Sequence, residues 1–327
     1  MKPVFDLIVV GAGPSGLSCA IEAMRAGLST VVFDKGGIAD AIRRFPTNLV
    51  WFSTPELLEI GDVPFVISGV RPTRVDTLNY YARVVRQCTL DVRTHEEVID
   101  IRRKEDGGFE ASTASGIQYA APSVIIATGY FDHPARLGVP GENMPQVLHG
   151  YDEPFRYAGS DVVVVGGRNS AVEAALDLYR HGARVTLVHR GAALSQGVKY
   201  WVLPDIENRL KSGQITGIFQ AIVEEFRKEG VVVRMFDGTR LLPCVFSFVL
   251  IGFRPDASFL QKAGIRIDAA TLAPESDLET FETNVPGLFV AGSVVAGKDT
   301  NRIFVENGRS HAKPIVEAIM RYRRCLS

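Results

Sequence analysis

Two stretches of the chain carry the same succession of apolar and polar positions. In the first, Leu7 to Val10 form an unbroken apolar run, the mark of a parallel strand buried on both faces. A glycine turn follows, then a helical pattern from near Pro14 and a second apolar strand, Thr30 to Phe33. In the second, Asp161 to Arg190 (DVVVVGGRNSAVEAALDLYRHGARVTLVHR) repeats strand, turn, helix and strand. Elsewhere short alternating segments take over. Val98–Ile101, Phe109–Ser112 and Ile117–Tyr119 read as one β-meander, Val231–Met235 and Leu241–Cys244 as another. Apolar strands run into glycine at Val124–Ala127 (before Thr128-Gly129), at Phe248–Ile251 (before Gly252) and from Gly287 to Gly292. Thr73 predicts the cap of a helix through Tyr80, Tyr81 and Val85, and a last helix is expected over 301–323. The irregular excursion from Gly36 to Phe65 reads as a loop laid over a ligand.

Repetition at this scale means duplicated supersecondary units. The expected fold class is α/β, with two Rossmann-like FAD/NAD(P)-binding domains. Residues 1–130 with 255–327 make the FAD domain, and residues 131–254 make an NADPH domain inserted into it.

The turns carry the chemistry. Gly11, Gly13 and Gly16 have the spacing G-x-G-x-x-G, which serves the tight turn, the approach of a pyrophosphate to bare backbone, and close helix–sheet packing. The helix that starts at Pro14 points its free N–H groups at those phosphates. Asp34 stands 34 − 11 = 23 residues past the first glycine, where the ribose hydroxyls of an adenine nucleotide require an acid. In the second copy Gly166 aligns with Gly11, Ala171 with Gly16, and His189-Arg190 with Asp34-Lys35, at the same separation (189 − 166 = 23). A carboxylate repels a 2′-phosphate and an arginine accommodates one, so the first site suits FAD and the second NADPH. Lys199 is a candidate for a second positive charge there. Arg168 occupies the place of the second glycine. Either Gly167 supplies the turn's freedom while the guanidinium reaches the pyrophosphate, or the cofactor sits shifted. Asn169, Ser170, Ala171 and Glu173 continue a sound helix start, which favours binding.

Length and composition set the limits. A chain of 327 residues favours two domains, and 46% hydrophobic with 22% charged residues is ordinary for a soluble protein. The 36 basic and 37 acidic side chains argue against a nucleic-acid or membrane partner. The first strand leaves no room for a signal peptide, and four scattered cysteines without C-x-x-C suit a reducing cytoplasm. No metal site is expected.

Two such units, with Ala127-Thr128-Gly129 between them and Gly292 near the end, resemble the thioredoxin-reductase group of flavoproteins. That group's inserted domain normally carries a C-x-x-C, absent here. The stretches RRFPTNLVWFSTPELLEIGDVPF, VVVGGRNSAVEAAL, VKYWVLPDIENRLKSGQI and VAGSVVAGKDTNRIFVENGRSHAKP are more specifically similar to the bacillithiol disulfide reductase family. The resemblance implies a homodimeric, cytoplasmic, NADPH-dependent FAD enzyme that reduces a low-molecular-weight disulfide. It also implies a flavin site drawn from Gly11, Gly13, Pro14, Ser15, Gly16, Asp34 and Lys35. Asn48, Val98, Ala127, Thr128, Gly129, Gly292, Ser293, Ile303 and Phe304 complete it, and Gly252 joins the NADPH site. Relatives often place a cysteine where this chain has Ser15, and a hydroxyl cannot form a mixed disulfide. Ser293 stands where the wider group has an aspartate.

Cys19, one turn beyond Ser15, reads as a packing residue. Cys244 and Cys325 read as inert, and the basic group Arg321, Arg323, Arg324 as a solvated helix end. Two other functions remain open on the residues: a ferredoxin or flavodoxin–NADP reductase serving a protein electron acceptor, and a nucleotide-binding redox sensor without turnover.

Overall fold

In the computed structural model, residues 3–105 and 107–326 are described, with side chains through Arg323. The chain forms two compact units. One ends at His133 and resumes at Phe253; the other is Pro134–Gly252.

The first unit is built on a five-stranded parallel sheet with Leu7–Val10 at its centre. Thr30–Phe33 and Ser123–Ile126 flank that strand, and Asp91–Arg93 and Leu288–Val290 form the edges. All four residues of Leu7–Val10 are buried, as an unbroken apolar run between two covered faces requires. The helix Pro14–Arg25 and the C-terminal helix Ala312–Leu326 pack on one side of the sheet. The antiparallel meander of Val98–Arg103, Phe109–Thr113 and Gln118–Ala121 packs on the other. Thr73 caps Arg74–Gln87 in a reciprocal capping box with Asp76, which fixes the start of that helix.

The second unit repeats the plan. Its parallel sheet runs in the order Thr216–Ile218, Arg184–Val188, Asp161–Val165, Phe246–Val249, Val147–Leu148. The helix Asn169–Arg180 lies on one face, and the meander Ile222–Arg227, Gly230–Met235, Gly238–Pro243 on the other.

The short elements Asp91–Arg93, Val147–Leu148, Leu203–Lys211, Thr216–Ile218 and Ala257–Lys262 are not read from the sequence, and three further elements differ from its expectation. Ile222–Arg227 is a strand that the alternation did not reveal, because a register shift between Val223 and Glu225 breaks its period and Glu224-Glu225 interrupt the apolar run. Gly36–Phe65 is not wholly irregular, since it contains the single turns Asp40–Arg43 and Pro55–Leu58. The helix expected over 301–323 is broken. A turn at Val305–Gly308 passes through a 3₁₀ turn at Arg309–His311 into Ala312–Leu326. The Asn307 side chain accepts from Phe304 N–H and donates to the Arg302 carbonyl, which starts the helical turn four residues later than expected. Among the described residues no helix is long and apolar enough to cross a membrane, and no cluster of ligands is arranged for a metal.

Candidate functional site: two phosphate cradles

The three glycines of the first turn do different work. Gly11 has φ +111°, and a Cβ there would stand 2.4 Å from the Ala127 carbonyl oxygen. A Cβ at Gly16 would stand 1.9 Å from the Gly11 carbonyl oxygen, so this position admits nothing larger than hydrogen. At Gly13 nothing lies within 4 Å of where a Cβ would be. Gly13 is also the N-cap of Pro14–Arg25, and no side chain caps that helix or puts a carboxylate in its first turn. The result is open, electropositive backbone at a helix start, a shape and charge that fit a pyrophosphate.

Asp34 sits at the end of the neighbouring strand. Its carboxylate accepts from the Ala12 N–H at 2.8 Å and from the Gly36 N–H at 2.8 Å. Burial pushes its pKa up, partly offset by those two donors, with Asp40 and Asp132 adding upward pressure. Lys35 and Arg44 meet at Asp132, and Arg44 also pairs with Asp40 at 3.0 Å. Sequence patterning gave no sign of this lattice, because Asp132 is remote in the chain.

Several of the other expected residues are in contact with one another. A Cβ at Gly129 would lie 3.3 Å from the Ser293 hydroxyl. The Ser15 side chain is lodged against two glycines: a Cβ at Gly292 would be 2.5 Å from the Ser15 Oγ, and one at Gly308 3.0 Å from it. Ile303 adjoins Gly308, and Phe304 meets Phe52 edge-on at 6.4 Å between centroids. Asn48 is exposed, whereas Val98 packs its side chain into the core. His311 was not foreseen. Its Nδ1 accepts from the Gly292 N–H at 3.2 Å while its ring stacks on Phe281 at 4.0 Å. Burial lowers the His311 pKa to about 4, so the ring is neutral. Cys19 is fully buried with its pKa pushed up to about 12, an unreactive thiol. Cys244 is also raised by burial, and the Cys325 side chain lies outside the described residues.

The second cradle has the same plan with other fillings. Gly166 has φ +153°, and a Cβ there would stand 2.5 Å from the Leu250 carbonyl oxygen. Ala171 takes the place of Gly16 and is fully buried. A Cβ at Gly167 would stand 2.4 Å from the His189 Nδ1, so the imidazole lies directly on the turn, in the register that Asp34 occupies in the first copy. Burial, then the charge of Arg190, lowers the His189 pKa. Arg168, the N-cap of Asn169–Arg180, is exposed, as are Arg190 and Ser170.

Asn169, Glu173 and Lys199 hold the following loop. The Asn169 amide donates to the Gly197 carbonyl at 3.0 Å and accepts from the Lys199 N–H at 2.9 Å. Lys199 Nζ binds Glu173 at 2.7 Å and lies over the Trp201 ring, so its charge is already engaged by the protein. Ser195 N–H donates to the Gly167 carbonyl at 2.9 Å, tying the loop to the turn. Gly252 has φ +106° and open space where a Cβ would be.

A duplicated strand–glycine–helix cradle, acidic at one ribose position and cationic at the other, defines a protein that handles two dinucleotides. Comparison with known proteins makes the class definite. Residues 8–292 match the family model of the pyridine nucleotide-disulphide oxidoreductases. The bacilliredoxin reductase Bdr of Bacillus subtilis is 41% identical over 95% of this chain and 96% of its own length. The bacillithiol disulfide reductase Bdr (YpdA) from Staphylococcus aureus superposes with a TM-score of 0.94 at 35% identity, covering 99% of this chain and all of that one. Thioredoxin reductase of T. acidophilum shares the fold, with a TM-score of 0.77 at 23% identity over the whole of both chains. The chain belongs to the pyridine nucleotide-disulphide oxidoreductase family. It is an NADPH-dependent flavin oxidoreductase, with FAD and NADPH as its cofactors.

Proposed function

We propose that the chain carries reducing equivalents from NADPH through FAD to a low-molecular-weight disulfide of the bacillithiol type. The observation that carries this reading is the contrast between the two ribose positions, Asp34 bonded to its glycine turn and the His189 imidazole lying on its own, with the exposed Arg190 next in sequence. Gly11, Gly13, Ser15 and Gly16 would hold the FAD pyrophosphate by backbone N–H groups and the dipole of Pro14–Arg25. Asp34 would accept from the adenosine ribose, and Ser293 and the Ala127–Gly129 turn would line the flavin's other end. Gly166, Gly167 and the start of Asn169–Arg180 would hold the NADPH pyrophosphate, with Arg190 at the 2′-phosphate. Bound together, the two cofactors supply hydride transfer and its onward delivery to an acceptor.

The protein's own part is alignment and charge: Ser15 has a hydroxyl, which forms no mixed disulfide, and Cys19 one turn on is buried and unreactive. Relatives named for bacillithiol disulfide and bacilliredoxin support that acceptor class. A homodimer working in the cytoplasm, where low-molecular-weight thiols are kept reduced, accords with this reading. Steady-state NADPH oxidation with bacillithiol disulfide, other small disulfides, quinones and ferredoxin tests it. Turnover is expected with bacillithiol disulfide, and turnover with ferredoxin alone would overturn the proposal.

A further inference from the structure

Residues 134–252 contain ten arginines. Six of them, Arg180, Arg184, Arg209, Arg227, Arg234 and Arg240, are paired with carboxylates. Arg156 lies over the rings of Tyr157 and Phe246, and Arg136 donates to Asn143. Among the described residues, Arg168 and Arg190 are the two arginines of this unit with no carboxylate, carbonyl or ring partner. Their neighbours in sequence touch: Gly167 lies against the His189 imidazole so closely that a Cβ would stand 2.4 Å from Nδ1. Two exposed arginines therefore adjoin in sequence the contact between the glycine turn and the His189 ring. Six of the other eight arginines of this unit are neutralised by a carboxylate, so two exposed ones without such a partner, each next in sequence to a residue of the Gly167–His189 contact, mark a place for a ligand's negative charge. Nearby Lys199 does not serve, since Glu173 takes its charge at 2.7 Å.

We infer that Arg168 binds the 2′-phosphate of the nicotinamide cofactor together with Arg190, and does not bind the pyrophosphate. This rests on the second cradle being the NADPH site. Gly167 and the helix N–H groups already supply the pyrophosphate's donors, as in the first cradle, where the position equivalent to Arg168 is the bare Gly13. A 2′-phosphate lies instead at the ribose register, beside His189. It carries close to two negative charges and three acceptor oxygens, enough to engage two planar forks. Gly191 leaves room for the His189 ring, because a Cβ there would stand 2.8 Å from its Nε2.

Isothermal titration with the fragments 2′,5′-ADP and 5′-ADP tests the inference on the purified protein. Arg168→Gly, which restores the glycine of the repeat, is expected to weaken 2′,5′-ADP roughly tenfold or more while leaving 5′-ADP within about twofold. Arg168→Gln should do the same, which separates charge from backbone freedom. Equal weakening of both fragments would assign Arg168 to the pyrophosphate and overturn the inference. So would no effect on either. If the unsubstituted protein bound neither fragment, the NADPH assignment itself would fall, a result distinct from both.

Discussion

Ser15 and Gly292 are in direct contact across the first cradle: a Cβ on Gly292 would stand 2.5 Å from the Ser15 hydroxyl oxygen and 2.8 Å from the Ser15 Cβ. The hydroxyl can rotate away, but the Cβ is fixed by the helix backbone. Gly292 also has φ +74°. Gly292→Ala is expected to destabilise the protein by about 1–3 kcal/mol and to lower flavin retention. Ser15→Gly in the same chain should recover part of that loss, a coupling of about 1 kcal/mol measurable by a double-mutant cycle in urea. Purely additive effects would show that the two residues do not touch.

Gly13 and Gly16 separate binding from folding. Gly16→Ala drives a methyl group into the Gly11 carbonyl and should cost roughly 3 kcal/mol of stability. At Gly13 a Cβ meets open space and φ is −75°, so Gly13→Ala should fold with an almost unchanged melting temperature. Its effect should fall on flavin affinity, because the methyl group occupies the space a pyrophosphate needs. Thermal unfolding with and without added FAD distinguishes the two variants.

The two cradles were legible in the sequence because their information is local. Strand, glycine spacing, helix and ribose position lie within one short stretch each, and Leu7–Val10 and Thr30–Phe33 appear where the apolar runs end. What was not legible is contact between residues far apart in the chain. Asp132 joins Lys35 and Arg44 across some ninety residues, and Ser15 meets Gly292 and Gly308 only once the last strand has returned. His311 gave no signal, since a lone histidine in GRSHAKP has no spacing to read. Lys199 had the right charge but a nearer partner, Glu173, one turn into the cradle helix.

His311 should make stability depend on pH. Its ring is buried and neutral, with a folded pKa of about 4 against the ordinary 6.5 of a free imidazole. The unfolded chain therefore binds more protons between those values. Stability from this group is complete above about pH 6.5 and declines as pH falls toward 4. The loss amounts to about 2–3 kcal/mol for one buried histidine. His311→Asn, which keeps an acceptor for the Gly292 N–H but does not titrate, should flatten the dependence. Denaturant titrations at pH 5 and 7 on both proteins check it; parallel behaviour would remove His311 from the explanation.

Among the described residues, burial raises the pKa of every cysteine thiol and so disfavours the reactive thiolate. Cys19 is buried with its pKa near 12, and burial also raises Cys88 and Cys244. A variant with Ser or Ala at Cys19, Cys88, Cys244 and Cys325 is expected to oxidise NADPH with kcat within about threefold of the parent. Iodoacetamide should leave the parent's activity intact at neutral pH. A large loss in either assay would mean that a protein thiol carries electrons.

The central claim is that electrons pass from NADPH through a flavin held by the first cradle to a small disulfide. Anaerobic mixing of the flavin-loaded protein with one equivalent of NADPH, followed by bacillithiol disulfide, tests it in a single record. The flavin's visible absorbance should bleach with NADPH, far more slowly with NADH, and return when the disulfide is added. A flavin that NADPH does not bleach, or one that stays bleached in the presence of the disulfide, would contradict it.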